Sequence, residues 1–261
     1  FKLEKRIIDR RVAILKAEGI EFKTNVNVGV NYNVEDLKDF DALVLCGGAT
    51  DRRSLPTTGI EANGVVQAMD FLTQQTKVVL GKDVENQVLA TDKNVIVIGG
   101  GDTGSDCIGT SNRQGAKSVI NFEIMPKPPG HRSPSTQGPY WPLQLKTSSS
   151  HQEGVERNWL INTKEFVKDE KGNLTALKTV NVKWEMVPGK RPKLIEIEGT
   201  EKTWPCDLAL LALGFTGPES TLADKLGIEK DVRSNYKAAY GKYQTSVSNI
   251  FTAGDMRRGQ S

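Results

Sequence analysis

The sequence predicts an α/β fold with two parallel β-sheets, each belonging to a domain of its own. Three apolar runs that end in glycine indicate this: Asp41–Gly48, Asn94–Gly101 and Asp207–Gly214. Continuous apolar runs are typical of parallel strands that are buried on both faces. Because the first and third runs share an acidic residue, an apolar stretch and a closing glycine, they suggest two related domains.

The middle run carries the most specific pattern in the chain. Asn94–Ile98 leads directly into a Gly-x-Gly-x-x-Gly turn, and Ser105–Arg113 follows as a predicted helix. In such a turn Gly99 permits a tight bend, Gly101 leaves room for a pyrophosphate, and Gly104 lets the helix pack closely on the strand. The pattern predicts a dinucleotide site at the helix N-terminus, with an ordinary tight strand-to-helix corner as the alternative.

A second predicted strand supports the dinucleotide site. Ser118–Glu123 follows the helix and ends in an acidic residue, about twenty positions after the turn, as this kind of site requires. The carboxylate of Glu123 would accept a hydrogen bond from the 2′-hydroxyl of NAD and would repel the 2′-phosphate of NADP. Lys127 and Arg132 lie a few residues further on and could bind that phosphate instead. If Glu123 points away from the turn, this basic pair decides. Because the loop supplies two cations, we expect a slight preference for NADP.

The other elements follow from periodicity and turn residues. Residues 125–150, which contain six prolines, form a predicted irregular stretch that is long enough to suggest a function or a covered surface. A final apolar strand delivers Asp255, which could contact cofactor hydroxyls or form an ordinary Asx turn. We expect helices over residues 1–19, 34–38 and 65–80, and strands over residues 21–28, 119–124, 162–168, 174–184, 193–198 and 247–254.

Composition restricts the class of protein. The chain has 261 residues, 37% of them hydrophobic and 26% charged, which is typical of a globular protein. A net charge of +3 with scattered lysines and arginines argues against nucleic-acid binding. The sequence has no apolar run of about twenty residues, and its N-terminus lacks the apolar core of a signal peptide. Three separate cysteines fit a reducing compartment, so we predict a cytoplasmic protein. Because the chain begins without Met and inside a predicted helix, we expect a fragment of a longer protein.

The cysteines and histidines predict no redox or metal chemistry. Cys46, Cys107 and Cys206 lie far apart without a Cys-x-x-Cys pair, so we expect three buried thiols. His131 and His151 have no ligand spacing around them.

Four stretches together resemble one known family. Val97–Cys107, Phe122–Pro129, Thr147–His151 and Ala253–Ser261 are similar to the small (beta) subunit of bacterial glutamate synthase and to related glutamate-synthase-like flavin oxidoreductases. The resemblance covers essentially the whole chain. It implies a Rossmann-like flavoprotein with two dinucleotide-binding domains, in which an NAD(P)H domain at residues 65–240 is inserted into a partial FAD domain at residues 1–64 and 241–261.

The resemblance also implies cofactor contacts. Gly47 and Gly48 would border the flavin, and Gly214, which ends a strand of the same kind, is a further candidate. The NAD(P)H phosphates would be bound by Gly99, Gly101, Asp102, Thr103 and Gly104, and the flavin would be contacted by Gly254, Asp255 and Gln260.

The family has parts that this sequence lacks. Its cysteine-rich iron–sulfur domain and the main phosphate loop of its FAD domain both precede the point where this chain begins. We therefore expect the iron–sulfur clusters and FAD to belong to the parent protein, with FAD not retained by the fragment.

The chemistry that the resemblance implies is hydride transfer from NAD(P)H to FAD. Electrons would continue through iron–sulfur clusters to the large (alpha) subunit, which makes glutamate from glutamine and 2-oxoglutarate. No catalytic acid or base is nominated, because the cofactors carry the reaction. A hydrolytic pair of Ser148–Ser150 with His151 is disfavoured, since neighbours in sequence rarely have the required geometry. Two alternatives stay open: a non-catalytic dinucleotide-binding or docking module, and a related enzyme of the dihydropyrimidine dehydrogenase or transhydrogenase kind.

Overall fold

A computed structural model of the chain describes residues 3–132, 144–186, 189 and 192–260. The chain divides into two compact units. Unit 1 contains Phe1–Arg53 and Gly214–Ser261, and unit 2 contains Ser54–Leu213. In chain order the elements are α1 (Lys5–Ala17), a 3-10 helix (Val34–Asp39), β1 (Leu43–Leu45), β2 (Asp51–Arg52), β3 (Val65–Gln67), α2 (Ala68–Val79), β4 (Asn94–Ile98), α3 (Asp102–Arg113), β5 (Ser118–Glu123), α4 (Ser149–Gln152), β6 (Glu156–Trp159), β7 (Ile161–Lys168), β8 (Leu174–Glu185), β9 (Lys193–Glu196), β10 (Lys202–Pro205), β11 (Leu208–Leu211), β12 (Phe215–Gly217), α5 (Ser220–Leu226), β13 (Ile250–Thr252) and α6 (Asp255–Arg258).

Unit 2 is organised around a five-stranded parallel sheet with the order β3-β11-β4-β5-β6. β4 and β11 lie inside the sheet, and their side chains are buried on both faces because apolar layers cover both sides. On one face, Val95 and Val97 pack with Cys107 and Ile108 of α3. The opposite face carries Ile96 and Ile98, which belong to a second apolar cluster. The apolar runs of β4 and β11 therefore predict the centre of this sheet correctly.

The second apolar cluster is completed by antiparallel strands. β7 and β8 form the predicted hairpin, and β8 also pairs with β9 and β10. Leu177 and Trp204 from these strands pack in the same cluster as Phe122 of β5. In the hairpin turn, Asp169 Oδ1 accepts hydrogen bonds from the backbone N–H groups of Lys171 at 2.9 Å and Asn173 at 2.8 Å, which explains why this polar sequence ends the strand.

Unit 1 contains two small strand pairs. β1 runs parallel to β13, and β12 runs antiparallel to β2. A separate core is formed by residues from α5, β13, α6 and the loops that connect them, namely Ala223, Ile228, Tyr236, Ile250 and Met256. The hydroxyl of Tyr236 donates a hydrogen bond to the carbonyl oxygen of Glu219 at 2.8 Å and accepts one from the backbone N–H of Ala223 at 3.0 Å. These bonds fix α5 against the core.

Three predicted elements differ from the structure. The strand predicted over residues 21–28 is wrong: the described backbone there makes only an isolated bridge between Val28 and Tyr32, because the local turn supplies no longer partner strand. The helix predicted over residues 65–80 begins only at Ala68, because residues 65–67 form β3 and pair with β11. β1 is only partly buried, with Val44 65% exposed, because β13 is its one strand neighbour in the described part of the chain.

The boundaries of the structural units also differ from the predicted domain limits. The units divide at residues 53/54 and 213/214, whereas the resemblance implies divisions at 64/65 and 240/241. Residues 54–64 lie in unit 2, where Phe166 of β7 donates a backbone hydrogen bond to Thr58 at 2.9 Å. Residues 214–240 lie in unit 1, since β12 pairs with β2 and Tyr236 is part of its core. The assignment of cofactors to these domains stays a prediction.

Among the helices that the structure describes, none has both the length and the apolar character needed to cross a membrane.

Candidate cofactor sites

The glycine turn after β4 is shaped by close backbone contacts. Gly99 has a φ of +119°, and a Cβ atom there would lie 2.2 Å from the carbonyl oxygen of Ala212. A Cβ atom at Gly104 would lie 2.3 Å from the carbonyl oxygen of Gly99. Both distances are far too short for a real Cβ atom, so these two glycines are required by the packing of β4, β11 and α3.

Gly101 has a different environment. It is the N-cap of α3, and in the described structure no side chain caps the helix there. Apart from Gly101 itself and its two neighbours in the chain, no described residue has an atom within 4 Å of the position that a Cβ atom of Gly101 would occupy. The first-turn N–H groups of a helix of this length favour an anion, and α3 has 12 residues. The open space at Gly101 therefore fits the pyrophosphate of a dinucleotide, with Asp102 and Thr103 in the first turn.

Asn121 holds the turn in place, and the sequence interpretation did not nominate it. Its Nδ2 donates hydrogen bonds to the carbonyl oxygens of Val97 at 3.1 Å and Gly99 at 2.9 Å. The backbone N–H of Gly99 donates in turn to the carbonyl oxygen of Phe122 at 2.8 Å. Asn121 is buried, so its amide groups need partners inside the protein. One signal was available: Asn121 is a polar residue within the otherwise apolar run of β5.

Glu123 points toward the glycine turn. A Cβ atom added at Gly100 would lie 2.1 Å from Oε2 of Glu123, so the carboxylate lies directly against this glycine. The other oxygen, Oε1, accepts a hydrogen bond from the backbone N–H of Met125 at 3.2 Å. We expected Lys127 and Arg132 to decide the choice of coenzyme if Glu123 pointed away from the turn. Because Glu123 points toward the turn, this condition is not met.

The two predicted basic residues lie in different surroundings. The ammonium group of Lys127 is 5.0 Å from the centre of the Trp159 ring, on the strand next to Glu123. Arg132 is exposed and is the last described residue before residue 144. The structure thus brings Lys127 to the carboxyl end of β5. Arg157, which the sequence interpretation did not nominate, reaches the same Trp159 ring at 5.0 Å.

Ser148 and His151 have a structural role as a capping box. Oγ of Ser148 lies 2.9 Å from Nδ1 of His151, and the backbone N–H of Ser148 donates to the same ring nitrogen at 3.1 Å. Oγ of Ser148 also lies 2.5 Å from Oγ of Ser105 on α3. Ser150, the second residue of α4, is buried against Gly109 of α3. These contacts explain the motif without hydrolytic chemistry.

In unit 1, the pairing of β1 with β13 brings four predicted flavin-site residues to one strand edge. The backbone N–H of Ala253 donates to the carbonyl oxygen of Leu45 at 3.2 Å, so Gly47 and Gly48 follow one strand beside Gly254 and Asp255, which follow the other. Gly48 has a φ of +81° and Gly254 a φ of +63°, and no described atom would contact a Cβ at either. Asp255 is the first residue of α6 and does not belong to the strand itself.

The remaining two predicted residues contact each other. Oε1 of Gln260 accepts a hydrogen bond from the backbone N–H of Phe215 at 2.8 Å, and a Cβ atom on Gly214 would lie 2.3 Å from the same oxygen. Asn235 is a buried neighbour that sequence reasoning missed. Its Nδ2 donates to Asp231 at 3.2 Å, while its Oδ1 has no hydrogen-bond partner within the described structure.

The comparisons with known proteins agree with this geometry. A family profile described as pyridine nucleotide-disulphide oxidoreductase matches residues 16–261. The chain belongs to this family.

Several relatives within the family are glutamate synthases. The small chain of NADPH glutamate synthase from Mycobacterium tuberculosis (strain ATCC 25618 / H37Rv) is 46% identical over 268 residues, which cover 100% of this chain and 54% of that protein. The NADH glutamate synthase of Schizosaccharomyces pombe is 42% identical, over 100% of this chain and 13% of that protein. The chain spans about half the length of the small chains that it matches. The predicted resemblance is confirmed.

A solved structure confirms the fold class. The structure of Mycobacterium tuberculosis FprA in complex with NADPH has a TM-score of 0.64 and 15% sequence identity, and the similarity covers 91% of this chain and 63% of that one. At this identity the likeness shows the fold alone. The predicted Rossmann-like α/β fold is thus confirmed.

The cysteines of this family member do not form a redox pair. All three belong to the described residues, and all are free. Cys107 and Cys206 are buried as predicted, and burial raises the pKa of both thiols, that of Cys206 to about 12. Cys46 is exposed, so the prediction of three buried thiols is wrong for this residue, since it follows the incompletely covered strand β1. Among the described residues no group of three His, Cys, Asp or Glu could hold a metal ion.

Proposed function

We propose that this chain is the NAD(P)H-oxidising part of a glutamate synthase small subunit. The observation that supports it most is the open N-terminus of α3 at Gly101, within a chain 46% identical to such a small chain. The relatives' names include both NADPH and NADH enzymes, so either coenzyme is compatible with the proposal.

The residues of unit 2 would bind and orient the coenzyme. The N–H groups at Asp102, Thr103 and Gly104 would hold the pyrophosphate, because they lie in the first turn of α3. Glu123 would contact the adenosine ribose, since its carboxylate already lies against Gly100. These contacts would position the coenzyme and complement its charge, and none of them transfers a proton.

The residues of unit 1 would border FAD in the full-length protein. Gly48 and Gly254 leave open space at one strand edge, and Asp255 begins the helix that follows, as a site for a large planar cofactor and its hydroxyl-bearing chain requires. Gly214 and Gln260, which contact each other, are the second group of candidates. A flavin bound there would accept the hydride that NAD(P)H supplies. We keep the expectation that this chain by itself does not retain FAD.

The wider reaction is also part of the proposal. Electrons would leave through iron–sulfur clusters outside this chain and reach the large (alpha) subunit, which forms glutamate from glutamine and 2-oxoglutarate in the cytoplasm. The support is the resemblance to small chains, whose name implies a larger partner.

A substitution at Gly101 tests the coenzyme site. In the full-length protein, Gly101→Val places a side chain in the space assigned to the pyrophosphate. We expect the dissociation constants of NADH and NADPH to rise at least about tenfold, since a clash of about 1.4 kcal/mol already gives that factor. The measurement is a fluorescence titration of each reduced coenzyme.

Gly130→Val is the matched control, because Gly130 is the other described glycine with an ordinary φ and open space at its Cβ position. We expect near-native coenzyme binding for this control and a native flavin spectrum for both variants. Unchanged binding by Gly101→Val would refute the assignment. Tight coenzyme binding by the native protein without flavin reduction would favour the docking-module alternative.

A further inference from the structure

Four side chains meet where β5 and β6 end, next to the glycine turn. Glu123 ends β5, Lys127 follows it, and Arg157 and Trp159 lie on β6. We call these four residues the edge cluster. It contains two cations and one carboxylate, so it carries one net positive charge. An edge that carries net positive charge beside a nucleotide site favours a further anion.

Arg157 extends along β6 toward the carboxyl end of the sheet. In the parallel register, Arg157 is paired with Asn121, and Trp159 is paired with Glu123. The Cα atom of Arg157 thus lies two residues, roughly 6.6 Å, behind the level of Glu123. Its guanidinium carbon, however, is 5.0 Å from the centre of the Trp159 ring. The guanidinium group thus lies beside the residue that pairs with Glu123, and the Glu123 carboxylate is near enough to oppose the lowering of the Arg157 pKa.

The guanidinium group is held firmly but has hydrogen-bonding capacity left. Nη1 donates a hydrogen bond to the carbonyl oxygen of Lys146 at 3.1 Å. The Nε atom is buried and has no hydrogen-bond partner among the residues that the structure describes. Burial lowers the pKa of Arg157, and the nearby Glu123 carboxylate opposes this shift. A ligand does not reach an atom this enclosed, but Nη2 also makes no hydrogen bond among the described residues and is the donor left for a ligand oxygen.

Trp159 orients both cations. The ammonium group of Lys127 and the guanidinium group of Arg157 each lie 5.0 Å from the centre of this one ring. Attraction between a cation and an indole ring favours each of these positions. Trp159 thus places two cations within 5.0 Å of one ring centre, on the strand next to Glu123.

We propose that Arg157, together with Lys127, binds the 2′-phosphate of NADPH and so allows the site to accept NADPH despite Glu123. This inference rests on the proposed coenzyme site. Glu123 alone would favour NADH, because its carboxylate accepts the 2′-hydroxyl and repels a phosphate. Arg157 offsets this repulsion and offers the planar fork of donors that suits a phosphate group. Arg157 takes the part that the sequence pattern assigned to Arg132.

Two small probes isolate the contribution of the 2′ position. Adenosine 2′,5′-bisphosphate carries the 2′-phosphate, and adenosine 5′-monophosphate lacks it. Calorimetric titration of both into the full-length protein gives a ratio of dissociation constants that depends on the 2′ group alone. For Arg157→Gln we expect weaker binding of the bisphosphate by about tenfold or more, since a charge-assisted contact is lost, and little change for the monophosphate.

Three further variants sharpen the test. Lys127→Gln should change the ratio in the same direction by a smaller factor, and Glu123→Gln should change it in the opposite direction. Lys202→Gln is the matched control, because the ammonium group of Lys202 also lies over an indole ring, that of Trp204, at 3.4 Å, but on β10. We expect the control to leave the ratio unchanged.

The outcomes separate this inference from the proposed function. An unchanged ratio in Arg157→Gln, or equal weakening of both probes, would refute the role of Arg157. If Arg157→Gln does not fold, Arg157→Lys decides, because it keeps the charge but loses the fork, and an unchanged ratio there refutes the inference. If neither probe nor NADH binds to the native protein, the proposed coenzyme site itself is wrong.

Discussion

The strands β4 and β1 look alike in sequence and differ in the structure. Both are apolar runs that lead into consecutive glycines, two after β1 and three after β4. β4 lies between β11 and β5, and Val95, Ile96 and Val97 are completely buried. β1 has β13 as its described neighbour, and its Val44 is 65% exposed. A local pattern therefore predicts a strand and the turn that follows it, whereas burial depends on which distant segments pair with that strand.

The largest difference should appear at the glycines that end these strands. Gly99→Ala should lower the free energy of unfolding by about 3 kcal/mol, because the new Cβ atom would lie 2.2 Å from a backbone oxygen. Gly48→Ala also has a positive φ but has open space among the described atoms, so we expect a loss of about 1 kcal/mol.

Urea unfolding measures this contrast. Tryptophan fluorescence reports on unit 2, since all 4 tryptophans of the sequence fall within residues 54–213. Far-ultraviolet circular dichroism reports on both units. Equal losses for Gly99→Ala and Gly48→Ala would contradict the claim that the two turns are packed differently.

A second contrast concerns the side chains that tie the strand ends together. Asn121→Leu removes two hydrogen bonds to Val97 and Gly99 and leaves buried carbonyl oxygens with fewer partners, so we expect a loss of about 2 kcal/mol and weaker coenzyme binding. In unit 1, Thr252 donates one hydrogen bond to the carbonyl oxygen of Leu45 at 3.1 Å. Thr252→Val should cost about 1 kcal/mol and leave coenzyme affinity unchanged.

These two variants are compared by urea unfolding and by titration with NADPH. If Asn121→Leu binds NADPH with native affinity, the hydrogen bonds of Asn121 do not position the glycine turn. If Thr252→Val binds NADPH more weakly, coenzyme affinity does not depend on unit 2 alone.

The smallest effect is expected in thiol reactivity. Cys107 and Cys206 should resist alkylation at neutral pH, because they are buried and their raised pKa keeps them in the protonated form. For Cys206, with a pKa of about 12, protection should persist through pH 9 and be lost only as the pH approaches 12 or the protein unfolds. Cys46 should react first. Mass spectrometry after brief treatment with iodoacetamide identifies the modified residue, and early labelling of Cys107 would contradict the burial.

Much of unit 2 could be predicted from the sequence. The strand, glycine turn and helix at residues 94–113 depend on neighbours in the chain, and so does the hairpin of β7 and β8. The short strand β10 and the pair of β2 and β12 were missed, because their stability comes from partners far away in sequence. The strand predicted over residues 21–28 was wrong for the same reason: alternation without a partner does not make a strand.

The candidate site could be predicted in part. The glycines and Glu123 follow from a motif with fixed spacing. The sequence alone did not single out three further residues, Asn121, Arg157 and Asn235. They stand out only in the folded structure, through hydrogen bonds to distant residues or through buried polar atoms that have no described partner. Arg157 lies 34 positions after Glu123 in the numbering, and only the register of β5 with β6 makes them neighbours. The assignment of roles to all these residues stays a prediction.

The most direct test of the central claim is anaerobic reduction of the flavin by NADPH in the full-length protein. In a stopped-flow experiment at NADPH concentrations below saturation, we expect rapid loss of flavin absorbance for the native protein and for Gly130→Val. Gly101→Val should retain its flavin and be reduced at least about tenfold more slowly. Native reduction kinetics in Gly101→Val would contradict the claim that the N-terminus of α3 binds the hydride donor.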